Sequence, residues 1–100
     1  QLESLGLGVL QDQKSWIFSP SEVTFSWSTN KRKWSSRSVR SQVDPKAEGS
    51  HKAEIWTEAL SHEARYISVV AKYPGPCPEW HPSAGGATWI FADEILIRTR

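Results

Sequence analysis

The chain has no methionine and a single cysteine among its 100 residues. One thiol excludes an internal disulfide framework and leaves the redox compartment open. Long apolar runs are missing as well. The first ten residues, QLESLGLGVL, contain neither a basic leader nor an extended hydrophobic stretch, so they are neither a signal peptide nor a membrane span. With no initiating methionine, the chain reads as a piece of a longer protein whose targeting signal lies elsewhere. Charge of one sign is also scarce: 12 Lys and Arg stand against 11 Asp and Glu, a net charge of +1. That balance argues against a bulk polyanion such as nucleic acid as partner. Sustained helical periodicity is the last absence.

What is present is alternation. Leu5, Leu7 and Val9 alternate with Gly6 and Gly8; Val23, Phe25 and Trp27 alternate with Thr24, Ser26 and Ser28. The same period of two recurs at Ala53–Thr57, at Ile67–Ala71 and around Ile95 and Ile97, and predicts strands. Turn signals separate these runs: SPSE at Ser19–Glu22, STNKRK at Ser28–Lys33, DPKAEGS at Asp44–Ser50 and LSHEA at Leu60–Ala64. The stretch AEIWTEALSHEA reads as a strand followed by a turn rather than a helix. Several short strands without a helix indicate an all-β sandwich or barrel of antiparallel strands, in one domain spanning residues 1–100.

Chemistry-bearing residues gather in PGPCPEWHPSAGGATWIF, Pro74–Phe91, which holds four of the six prolines. Cys77 and His81 have the spacing C-x3-H, but structural zinc needs four ligands and only one close pair is available. Cys77 is expected to be a small buried hydrophobe. Nothing in the sequence places a base beside that thiol, and Asp93 and Glu94, as neighbours on a strand, would point to opposite faces. Neither pattern supports an active site within the chain. The basic stretch KRKWSSRSVR, Lys31–Arg40, is expected to form a solvated hairpin loop with Trp34 turned inward. Among the other tryptophans, Trp27 and Trp89 are expected in the core. Trp16 and Trp80, in loop-like contexts, are the candidates for an exposed platform of the kind that stacks on sugar rings.

GLGVLQDQKSWIFSPSEVTFSWSTNKRKW, ARYISVVAK and PEWHPSAGGATWIFADEILI together resemble a discoidin-like domain, the coagulation-factor type C-terminal fold. The version resembled is the one appended to bacterial β-N-acetylhexosaminidases (chitobiases) and related glycoside hydrolases, and the likeness runs from about Leu5 to Ile97. It implies a jelly-roll-like β-sandwich in an extracellular, periplasmic or cell-surface setting. The implied role is non-catalytic and ancillary: binding carbohydrate, or packing on the parent enzyme's catalytic domain, with cell adhesion or protein interaction as a further use of the fold. Ligand contacts would come from Trp80, His81, Trp16 and Glu79. A structural calcium would draw on Glu94 and the backbone at Ala92. The family's opening segment has no counterpart here, so the first strands would be missing. A bare sheet edge, apolar surface and either marginal stability or self-association are therefore expected.

Overall fold

A computed structural model describes residues 1–44, 46, 49–81 and 85–99. Six strands form: β1 (Leu2–Asp12), β2 (Glu22–Ser28), β3 (Ser35–Arg40), β4 (Ser50–Trp56), β5 (Tyr66–Ala71) and β6 (Phe91–Thr99), with one 3₁₀ turn at Gln13–Ser15. They make two three-stranded antiparallel sheets, ordered β4-β1-β6 and β3-β2-β5. The protein is an all-β, antiparallel sandwich, and the stretch expected as strand then turn ends its strand at Trp56. Among the described residues no helix is long and apolar enough to cross a membrane.

The core follows from the alternation. Leu5, Leu7 and Val9 project from β1 towards Val23, Phe25 and Trp27 of β2, and Ile55 of β4 and Leu60 close the layer. Each fully buried apolar side chain of this size contributes about 1.5–3 kcal/mol. The opposite face of the second sheet is polar. There Thr24 pairs with Ser38 and Ser26 with Ser36, each hydroxyl pair at 2.8 Å. On the outer face of the first sheet Gly6 and Gly8 serve a different end: the Trp56 ring lies over Gly6, and the Asp93 side chain over Gly8. Arg98 then rests on Trp56, its guanidinium carbon 4.5 Å from the ring centre.

Two expectations for tryptophans are corrected, and so is the hairpin loop expected over Lys31–Arg40, of which Ser35–Arg40 forms strand β3 because it pairs with β2. Trp89 is 62 % exposed rather than buried, because its backbone is held in a loop ahead of β6 while the side chain turns outward. Trp34 is likewise exposed: its Nε1 donates to the Lys31 carbonyl at 3.2 Å and closes the β2–β3 hairpin from outside. Ile95 and Ile97 face inward but stay 50 % and 52 % exposed, since nothing among the described residues covers them from the second sheet.

Apart from the β2–β3 hairpin, every connection crosses from one sheet to the other. The antiparallel registers bring the connections 13–21, 41–49 and 72–90 to one end of the sandwich. The 29–34 hairpin tip and the 57–65 connection occupy the opposite end. Pro45, Ala47 and Glu48 of the expected DPKAEGS turn, and Pro82 of the proline-rich loop, lie outside the described residues.

Candidate functional site

The end that collects three loops contains a cleft of about 510 Å³. Its construction begins at the tip of β1, where Gln11 continues the inward alternation of Leu5, Leu7 and Val9 with a polar side chain. Gln11 is buried and therefore needs partners. Its Nε2 donates to the Asp44 carbonyl at 2.6 Å, and its Oε1 accepts the Ser19 amide at 3.4 Å. One side chain thus ties the 13–21 connection to the 41–49 connection. Ser19 and Ser41 add a hydroxyl pair at 2.8 Å, and the Ser41 amide donates to the Ser21 carbonyl at 3.1 Å.

The third wall is the proline-rich loop. Cys77 donates its amide to the Gly86 carbonyl at 2.8 Å and accepts the Gly85 amide at 2.9 Å, which closes the loop on itself. Gly85 has φ +82°, a conformation that favours glycine and permits this closure. Thr88 donates its hydroxyl to the Gly75 carbonyl at 2.6 Å, and its amide to the Tyr73 hydroxyl at 3.2 Å. When the phenol ionises, the Thr88 hydroxyl can turn to it and the Thr88 amide already faces it; these hydrogen bonds, the side chain's first, hold Tyr73 below the ordinary tyrosine value. Proline has a fixed φ, so Pro74, Pro76 and Pro78 line the cleft as a stiff wall.

Chemically the cleft is mixed. Phe18 and the proline rings supply apolar surface; Ser19, Ser21, Ser41 and Thr88 supply polar groups; Glu22, Arg40 and Lys72 add charges of both signs. Glu22 and Arg40 are direct cross-strand partners at the mouth, where β2 and β3 meet. Paired charged groups of this kind can grip two neighbouring hydroxyls of a polyol, with the apolar wall against its C–H face.

The residues expected to bind ligand sit around this cleft rather than in it. Trp80 and His81 pack on Phe18, with ring centres at 6.4 Å and 5.8 Å, and on each other at 6.0 Å. His81 is only 6 % exposed, and its Nε2 lies 2.7 Å from the Gln13 carbonyl oxygen, so it anchors the loop tip instead of presenting a free ring. Trp80 is 40 % exposed, with Lys46 Nζ 5.8 Å from its ring centre, and Trp16 is 41 % exposed. Trp16 takes a left-handed conformation, φ 62°, at the end of the 3₁₀ turn. Its carbonyl accepts the Trp89 amide at 2.8 Å, so the loops bearing Trp16 and Trp80 are knit together by their backbones. Glu79 is exposed beside Trp80. Cys77 is buried, as expected of a small hydrophobe.

Glu94 and Ala92 lie on β6, paired with Gly8 and Val9 around a bulge at Asp93, and both are exposed. Among the described residues no three His, Cys, Asp or Glu side chains group in a way that could hold a metal ion.

Sequence reasoning missed the cleft itself, notably Gln11, Glu22, Arg40 and Lys72. For Gln11 a signal existed, because a polar residue that extends an inward apolar alternation must find buried partners. The other three look like ordinary solvated strand ends until the register places them together. Comparison of the sequence with protein-family models gives no match, and comparison with curated proteins gives none either.

Proposed function

We propose that this chain is a non-catalytic β-sandwich module that binds carbohydrate at its three-loop end, ancillary to a glycoside hydrolase of the β-N-acetylhexosaminidase kind. The observation that supports this reading is the cleft in which Glu22, Arg40 and Lys72 surround an apolar wall of Phe18 and prolines. Exposed Trp80 and Trp16 beside it offer ring faces for further sugar units. Loops tied together before any ligand arrives lose little entropy on binding, which suits recognition of a small polar ligand. Jelly-roll connectivity, an extracellular or surface setting and a calcium requirement belong to the same proposal. So does the parent enzyme as the physical neighbour.

Titration of the chain with amino sugars, galactosides and host glycans, followed by amide chemical shifts, tests it. Shifts should centre on residues 18–22, 40–43 and 72–78. Arg40→Ala should weaken the responding glycan by tenfold or more, the size expected for hydrogen bonds to a charged group. Trp80→Ala should weaken binding of oligomers more than of monosaccharides. Repeating the titration with calcium and with chelator reads the metal requirement. Saturable binding that ignores Arg40→Ala, or no binding by any of these glycans, would sink the cleft as a sugar site. In the second case the role reduces to packing against the parent's catalytic domain.

A further inference from the structure

The side of the sandwich formed by β5 and β6 carries the most exposed apolar surface of the two sheets. Ile95 and Ile97 are the cross-strand partners of Leu7 and Leu5, so they project on the same, inward face as those core residues. Both are nevertheless half exposed, and a groove lined by Leu7, Val69, Ala71 and Ile95 opens beside them. Among the described residues β6 is hydrogen-bonded on one side only, to β1. The edge strand β3 of the second sheet is protected differently, for Arg37 pairs with Phe25 and so puts a charge on the inward face. β6 has apolar residues at the matching places.

The backbone of β6 is oriented for pairing. Leu5 turns its amide and carbonyl towards the β4 side: the amide donates to Thr57 Oγ1 at 3.1 Å, and the carbonyl accepts the Thr57 amide at 2.8 Å. In an antiparallel ladder these directions alternate from residue to residue, so the β1–β6 bonds at this level are made by Gly6 with Leu96. Ile95 and Ile97 consequently direct their amides and carbonyls at the free edge.

The geometry points to a second copy of this chain as the partner of that edge, paired antiparallel with β6 about a two-fold axis at Leu96. This register makes Ile95 of one copy and Ile97 of the other a hydrogen-bonded pair, twice over. It collects the four isoleucine side chains on the inward face. On the outward face it sets Glu94 of each copy opposite Arg98 of the other, so both charge pairs are complementary. A register shifted by one residue in either direction of the two-fold centre loses that match: centring on Ile95 opposes Glu94 with Leu96, and centring on Ile97 opposes Leu96 with Arg98. The product is a continuous six-stranded sheet. This inference stands independently of the carbohydrate reading.

Charge reversal tests both the dimer and its register. Sedimentation of the chain should show a reversible monomer–dimer equilibrium. Glu94→Arg and Arg98→Glu, each placing like charges opposite one another twice per dimer, should each raise the dissociation constant about tenfold. The double variant, with the pairs restored in reverse, should return close to the wild-type value, which also shows that the single variants fail by repulsion and not by misfolding. Hydrogen exchange at the Ile95 and Ile97 amides should slow as the dimer forms. A chain that stays monomeric at all accessible concentrations overturns the inference. So does a dimer that the single reversals leave unchanged, that the double reversal fails to restore, or whose formation leaves the Ile95 and Ile97 amides unprotected.

Discussion

A methyl group added at Gly6 would meet the Trp56 ring at 2.6 Å, 2.8 Å and 2.9 Å, closer than real side-chain contacts allow. Gly6→Ala must therefore lift the indole off β1 and disturb its contact with Arg98, whose guanidinium carbon lies 4.5 Å from the ring centre. Two opposing effects set the size of the change. Overpacking of this kind costs about 1–3 kcal/mol. Replacing glycine in a strand recovers about 0.4–1 kcal/mol by restricting the unfolded chain. The net expectation is a loss of about 1 kcal/mol, or roughly 4–8 °C in Tm for a domain of this length. In a Trp56→Ala background the obstacle is gone, so Gly6→Ala should become stabilising by about 0.4–1 kcal/mol. The double-mutant cycle then gives a coupling of about 2 kcal/mol, the magnitude found for residues in contact. Urea unfolding followed by circular dichroism measures all four chains, free of the lost tryptophan signal. If Gly6→Ala is neutral or stabilising in the wild-type background, the indole does not lie on Gly6 and the explanation of this glycine fails.

Two further outcomes follow from single contacts. Thr57→Val keeps the side-chain shape but leaves the buried Leu5 amide without its acceptor at 3.1 Å; a destabilisation of about 1–3 kcal/mol is expected in the same urea assay, and an unchanged midpoint would contradict it. The Tyr73 phenol should titrate below 10.0, read as the absorbance change lost in Tyr73→Phe. Because its folded-state pKa is depressed, its contribution to stability is present above pH 10.0 and lost as pH falls through the folded value. Wild type should therefore gain on Tyr73→Phe only in alkaline solution, and a midpoint at or above 10.0 would refute the Thr88 hydrogen bonds as its cause.

Period-two alternation was enough to read an all-β sandwich, because a strand buried on one face must alternate whatever it packs against. Trp27 is in the core as expected, and the residues that alternate with it or along β1, Leu5, Leu7, Val9, Val23 and Phe25, are buried with it. Breakers and turn residues marked the connections, since proline and glycine act on the backbone locally. The single thiol followed the usual behaviour of a free cysteine and is buried.

Other features depend on what lies opposite a residue, which local pattern does not contain. Trp89 was expected inside from its apolar run WIFA, yet backbone bonds to Trp16 and Phe18 hold it in a loop and leave the ring outside. Ile95 and Ile97 alternate as a buried face should, but lie at a sheet edge that the described residues of the second sheet do not cover. Gly6 is explained only by Trp56, fifty positions away, across a register no local window reports. The cleft is of the same kind: Gln11, Glu22, Arg40 and Lys72 come from four separate stretches and meet only through the antiparallel pairing. The sequence by itself determined where five of the six strands lie, because their alternation depends on neighbours along the chain, whereas β3, Ser35–Arg40, has no apolar alternation and is a strand only through its pairing with β2. Tertiary structure alone decided which apolar face is covered and which polar ends converge, because those depend on pairing between strands far apart in sequence.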